Sequence, residues 1–146
     1  MVSWNGAETG GAVRHLVSRN SPERGRGVMA GELISAALFV CAAPQAVDGD
    51  TIRCRGVGLI RLVGIDSPEL AGHCRAGRVC TPGDGPAAKR AMAALLRQGP
   101  VTCAPTGRDK YGRLLARCTV RQQDLSCTMV SLGYAVVRYS RLKCQF

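Results

Sequence analysis

A mainly β fold of the α+β class is what the sequence predicts, and three observations predict it. Short apolar or alternating segments, most bounded by Gly, Pro or Asp, recur through the chain as strands do. A stretch of strong helix formers, Ala87–Arg97, falls between the third and fourth of these segments. A second helical stretch follows the fifth, near the C-terminus. Five short strands with one helix between strands three and four is the pattern of an OB-type barrel.

Residues 1–32 are rich in Gly, Arg and Ser without an apolar period, and read as a disordered extension or as sequence upstream of the true start, with Met29 as a possible initiator. Residues 33–146 form the folded domain. Leu33–Ala43 is an apolar run of eleven, too short for a transmembrane helix and about right for the apolar part of a signal peptide. Glu32 stands where a signal peptide carries basic residues, and cleavage beyond Cys41 would leave seven cysteines. Phe39–Val47 is therefore preferred as the first strand, which leaves no clear signal peptide.

Thr51–Arg55 and Leu59–Ile65 are the next two strands, joined at Gly56-Val57-Gly58. Folded about that turn, the hairpin sets Asp50 opposite Gly64, with a slip of one residue tolerated. Pro68 then turns the chain out of the sheet. A Gly/Cys/Arg loop runs from Leu70 to Gly85, and Pro86 opens the helix Ala87–Arg97 with Ala88, Met92, Leu95 and Leu96 on one face. Gly99-Pro100 ends it. Val101–Ala104 and Leu114–Val120 are strands around Asp109-Lys-Tyr-Gly112, a composition suited to a type I turn. Asp124 or Ser126 caps the second helix, which carries Leu125, Met129 and Leu132 and closes at Gly133. Tyr134–Tyr139 is extended. There is no internal repeat and no second domain.

The chain carries 20 Lys+Arg against 10 Asp+Glu, a formal net charge of +10 that favours an anionic partner. Four of the ten acids are Asp48, Asp50, Asp66 and Glu69, and a basic protein that concentrates its few carboxylates does so for a cation. The eight cysteines all lie between Cys41 and Cys144, an even number that reads as up to four disulfides and an extracytoplasmic, periplasmic or secreted setting. Cys103 and Cys118 are equidistant from the turn at Lys110-Tyr111 and face each other in an antiparallel hairpin. Cys41 with Cys54 and Cys74 with Cys80 are near neighbours, and Cys127 with Cys144 remains by elimination. Zinc held by His73, Cys74 and Cys80 is the weaker alternative, since no C-x-x-C pair occurs.

Asp50 and Asp66 are hard oxygen ligands at one end of one hairpin, and the Ser67 carbonyl adds a third. That set suits Ca²⁺ or Mg²⁺. Asp48 reads better as a turn cap. Asp50 and Asp66 would repel unless something cationic sat between them. Arg61 and Arg113 are candidate phosphate ligands, because a guanidinium grips phosphate through two N–H groups and stays charged. Glu69 is free to take a proton from an attacking water, or alternatively to pair with Arg61.

Val47-Asp-Gly-Asp-Thr51, Arg61-Leu-Val-Gly-Ile-Asp-Ser-Pro-Glu69, Gly85-Pro86-Ala87-Ala88 and Asp109-Lys-Tyr-Gly-Arg113 stand in the order and approximate spacing of the thermonuclease (staphylococcal nuclease) family. The resemblance runs from about Phe39 to Tyr139. It implies an OB fold and Ca²⁺-dependent hydrolysis of DNA and RNA that leaves 3′-phosphate ends. Asp50 and Asp66 then resemble the calcium carboxylates, with Ser67 where the family usually has threonine. Arg61 and Arg113 resemble the phosphate-binding arginines, and Glu69 the catalytic carboxylate. Lys110, Tyr111 and Tyr139 resemble the nucleotide-contacting positions. The chain departs from the family in its cysteine-clipped loop, its shorter first hairpin and Arg141 at an often aromatic position. A third helix is expected to be missing, since seven residues follow Tyr139. The rival expectation is an OB module that binds single-stranded nucleic acid without cutting it. In either case the partner is DNA or RNA, single strands favoured, bound by a monomer without a membrane.

Overall fold

Residues 37–139 and 141–144 are described by the computed structural model, and the expected N-terminal extension 1–32 lies outside them. The hairpin at the centre of the sequence pattern is present as β3 (Thr51–Cys54) and β4 (Gly58–Leu62). Their register pairs Thr51 with Arg61 and Cys54 with Gly58. Asp50 therefore lies opposite Leu62, whose N–H donates to the Asp50 carbonyl at 2.9 Å, and not opposite Gly64. The loop holds Arg55, Gly56 and Val57, so the hairpin turns about Gly56, where φ is +80°, one residue before the expected centre. That moves the partner by two residues, and because strand side chains alternate with period two, the same faces stay inward.

One sheet runs in the order β1-β6-β7-β4-β3-β2. Here β1 is Phe39–Val40, β2 is Gln45–Ala46, β6 is Val101–Arg108 and β7 is Leu114–Val120. The first and last strands of that order are neighbours in sequence. Cys41 N–H donates to the Val101 carbonyl, whereas the Ala42 carbonyl accepts from Arg55 N–H. A single stretch, Phe39–Ala46, is thus bonded to β6 at one end and to β3 at the other, which curls the sheet round on itself. The bend falls at Ala43, with φ +46°, and splits the expected first strand in two. The expected third strand, Leu59–Ile65, is likewise broken at Val63-Gly64 into β4 and β5 (Ile65–Asp66). Helix α1 accordingly follows five strand segments.

Helix α1 (Gly85–Leu96) starts where the Asp84 carboxylate accepts the Ala87 N–H at 2.9 Å, with Pro86 in the first turn. Asp84 is a cap that the pattern did not single out. Ala88, Met92, Leu95 and Leu96 are all buried, as their spacing implies. Asp124 on β8 (Gln123–Asp124) caps α2 (Leu125–Ser131) by accepting from Cys127 N–H. Leu125 and Met129 are fully buried, but Leu132 is 54% exposed because it is the C-cap residue, past the last inward turn. These side chains meet Ile52, Ile60, Leu62, Ile65, Val101 and Val120 in one core.

Four disulfides join Cys41–Cys54, Cys74–Cys80, Cys103–Cys118 and Cys127–Cys144. Cys103 and Cys118 are directly opposed in the β6–β7 ladder. The pairing takes up the two thiols that the zinc alternative needed, and it points to an oxidising, extracytoplasmic environment. Among the described residues no helix is long and apolar enough to cross a membrane.

Candidate active site

The hairpin delivers Arg61 to the face of the sheet that is turned away from the core. Ile60 and Leu62 point inward, so Arg61 between them points out, level with Thr51 on β3 and Leu115 on the parallel neighbour β7. It is nevertheless buried, with its guanidinium against Asp50, Asp66 and the Leu62 carbonyl. Its guanidinium lies 3.2 Å from Asp50 Oδ2 and 3.2 Å from Asp66 Oδ1, one N–H group on each carboxylate. The cation expected between these two aspartates is thus, in this structure, Arg61 itself.

Asp50 is held by its neighbours on both oxygens. Oδ2 also accepts the Ser67 N–H at 2.8 Å, and Oδ1 accepts the Thr51 hydroxyl. Asp48 caps the turn by accepting Asp50 N–H, the role its place beside glycine implied. Burial pushes the Asp50 carboxyl up to about 6, against the lowering pull of Arg61 and with a further rise from the Asp48 charge. A carboxylate under that pressure is a receptive ligand for a hard cation. Among the described residues no three His, Cys, Asp or Glu side chains converge as a cage. A divalent ion would take Asp50, Asp66, the Ser67 carbonyl and water, a donor set of oxygens only that fits Ca²⁺ or Mg²⁺.

Asp66 collects more partners than sequence reasoning assigned it. Besides Arg61, its carboxylate accepts the Thr81 hydroxyl at 2.6 Å and Arg138 at 3.1 Å, and Arg78 approaches to 3.6 Å. Arg78 also pairs with Glu69 at 3.1 Å, so the alternative pairing of Glu69 with Arg61 is not the one formed. Arg78, Thr81 and Arg138 were missed. Arg138 had a faint signal, since Tyr134–Tyr139 reads as extended. The strand just before it, β9 (Val136–Val137), pairs with β5, with Val136 opposite Asp66, and Arg138 N–H donates to the Gly64 carbonyl. For Arg78 the only clue was its place between Cys74 and Cys80.

The backbone from Ser67 to Glu69 is packed tightly by three glycines. A Cβ on Gly49 would sit 2.7 Å from Ser67 Cβ and 2.8 Å from Ala88 Cβ. One on Gly83 would sit 2.7 Å from the Pro68 ring, and one on Gly85 would fall onto the Glu69 carbonyl. Helix α1 therefore abuts the Glu69 backbone through Gly85, and the direction in which Glu69 leaves the sheet is set by that contact.

The remaining candidates lie on the next hairpin and near the C-terminus. Lys110, Tyr111 and Arg113 occupy the β6–β7 turn, with Lys110 Nζ 5.1 Å and Arg113 Cζ 5.7 Å from the Tyr111 ring centre. Arg113 is bound to its own turn, its Nε 2.7 Å from Asp109 Oδ2. Burial would raise the Asp109 carboxyl, but hydrogen bonds from Arg113 and from Tyr111 N–H outweigh it and hold the group below the usual carboxylate range. Arg113 immediately precedes β7, two residues before Leu115, which pairs with Arg61. Tyr139 is 72% exposed with φ +71°, and Arg138 stacks 5.2 Å from its ring. Asp50, Arg61, Asp66, Ser67 and Glu69 thus form one cluster, while Lys110, Tyr111 and Arg113 form a second, and Tyr139 adjoins the first through Arg138.

The chain is similar to known proteins. The family model described as staphylococcal nuclease homologue matches residues 59–145, which include Arg61, Asp66, Glu69, Arg113 and Tyr139, with Asp50 upstream of the match. A protein of Haemophilus influenzae named as an uncharacterized endonuclease is 30% identical over 99 residues, which is 65% of this chain and 50% of that protein. The chain spans half the length of this relative. With the match covering more than half of its residues, the chain belongs to the family of staphylococcal nuclease homologues.

Proposed function

We propose that this chain is a Ca²⁺-dependent phosphodiesterase, an endonuclease that hydrolyses DNA or RNA and leaves 3′-phosphate ends. The observation that carries the reading is the single Arg61 guanidinium on both Asp50 and Asp66, three residues from Glu69. Family membership and the name of the Haemophilus influenzae relative support it. The curled sheet closed by Phe39–Ala46 is read as a five-stranded OB-type barrel, with the short strand pieces as interruptions of the five.

Asp50, Asp66 and the Ser67 carbonyl would hold Ca²⁺, which when bound supplies positive charge against the phosphate oxygens. Glu69 accepts a proton from water as the water oxygen bonds to phosphorus, and the bond from phosphorus to the 5′ oxygen breaks, that oxygen taking a proton from solvent to leave as a 5′-hydroxyl. Arg61 and Arg113 bind the phosphate oxygens as charge builds on them, which for Arg113 requires exchanging Asp109 for phosphate. Lys110, Tyr111 and Tyr139 take the neighbouring phosphates and bases, by charge and by stacking. The protein acts as a monomer in the periplasm or outside the cell.

A binding-only OB module is favoured by one fact, that arginines already neutralise the carboxylates. Digestion of single-stranded DNA by oxidised protein in Ca²⁺ and in EGTA separates the two. The nuclease cuts in Ca²⁺ and stops in EGTA, and Asp50→Ala or Asp66→Ala abolishes cutting. Undiminished cutting in EGTA would remove the calcium role, and none in either condition would leave the binding module.

A further inference from the structure

No motif in the sequence singles out Arg78. Its guanidinium contacts Glu69 Oε1 at 3.1 Å and Asp66 Oδ1 at 3.6 Å, and so spans the proposed general base and a proposed metal carboxylate. The loop that carries it is fixed by three independent ties. The Cys74–Cys80 disulfide closes it, the Thr81 hydroxyl donates to Asp66 Oδ2 at 2.6 Å, and Arg138 donates to the Val79 carbonyl at 3.3 Å. The Arg78 backbone is therefore held beside the site, while its side chain, 42% exposed, can change partner. Burial works against its charge, but Glu69, Asp66 and the Tyr139 hydroxyl outweigh it and raise the guanidinium above its ordinary range.

A guanidinium fork fits a carboxylate and a phosphate with the same two parallel N–H groups. While Arg78 holds Glu69, that carboxylate is poorly placed to take a proton from water. Resting on the nuclease reading above, we infer that Arg78 is a third phosphate-binding arginine, whose guanidinium leaves Glu69 for the backbone of a bound strand and thereby frees Glu69 only when substrate is present. The three ties keep its reach short, and the exchange conserves charge at every group, since one anion replaces another on the same cation.

Arg78→Gln, which keeps the stem and removes the charge, and Arg78→Lys, which keeps the charge and removes the fork, are compared with the parent. Binding of a single-stranded DNA oligonucleotide is measured against salt in EGTA, and kcat/KM in Ca²⁺. Arg78→Gln should flatten the slope of log affinity on log salt by about 0.7, the loss of one phosphate contact on a single strand. It should also lower kcat/KM by roughly tenfold or more, as loss of a phosphate-binding arginine does. Arg78→Lys should keep the slope and still lose kcat/KM, because an ammonium lacks the fork. Cys74→Ser with Cys80→Ser, which loosens the loop with Arg78 intact, should lose kcat/KM in the same direction. If Arg78→Gln keeps the parent slope and cuts as fast or faster, Arg78 only clamps Glu69 and the inference falls. Failure of the nuclease reading looks different, with a parent that cuts nothing, and there the slope alone still decides whether Arg78 touches phosphate.

Discussion

Asp50 and Arg61 show what a single residue can and cannot announce. Asp50 was visible in the sequence because a carboxylate beside glycine at a strand start is either a cap or a ligand, and its near neighbour Asp48 took the cap. That Arg61 would bridge Asp50 and Asp66 was not visible, since it depends on the hairpin register that brings Asp50 beside Leu62. Gly85 is the glycine in tightest contact with the site backbone. Its missing side chain lets helix α1 reach the Glu69 backbone, so Gly85→Ala must push Glu69 away. We expect that variant to lose rate by on the order of 100-fold, as a displacement of about 1 Å can cause. Its stability should fall by about 1–3 kcal/mol, the usual cost of an overpacked contact. Steady-state kinetics with a urea unfolding curve check both, and a parent-like rate would show that Glu69 does not depend on that contact.

At the scale of the element, hairpins were the most legible parts. The β6–β7 pair sets Cys103 opposite Cys118 as the sequence implies, although a bulge between Pro105 and Gly107 shifts the register by one residue nearer the turn. The β3–β4 hairpin was less legible, since Arg55-Gly56-Val57 and Gly56-Val57-Gly58 are equally plausible loops and only the backbone decides. The β6–β7 turn also makes a pH prediction. Asp109 lies below its ordinary range when folded, so the unfolded chain binds its proton more readily. The stability that Asp109 contributes is therefore present above about pH 4 and is lost as pH falls through the depressed folded value. Its pair with Arg113 is partly exposed and is worth roughly 0.2–1 kcal/mol. In urea at pH 7 the parent should exceed Asp109→Asn by about that much, and at pH 3 the difference should shrink. An equal difference at both values would show that it comes from contacts asparagine loses irrespective of charge, and not from the ionised Asp109 carboxylate.

At the scale of the whole molecule, the net charge of +10 and the curled sheet follow from composition and pattern, but the assembly of arginines around Asp66 does not. Arg138 is 72 residues from Asp66 in sequence, and no period or spacing links them. Arg78 reaches the site from a loop closed by a disulfide and tied to Asp66 through Thr81. Both follow from closure of the fold, which local pattern does not encode. The charge predicts that affinity for single-stranded DNA falls steeply with salt, with each phosphate contact contributing about 0.7 to the slope. Filter binding from low to physiological salt measures this, and a flat response would make the charge incidental to binding.

The proposed chemistry turns on Glu69, which beside carboxylates joined by Arg61 would take a proton from water during hydrolysis of a phosphodiester. Single-turnover cleavage of a labelled single-stranded DNA by Glu69→Gln, with affinity measured on the same oligonucleotide, separates that role from binding. Loss of general-base help should slow cleavage by about 10²–10⁴-fold, roughly 3–5 kcal/mol of barrier, while affinity stays within a few-fold of the parent. A Glu69→Gln protein that cuts at the parent rate would contradict the account.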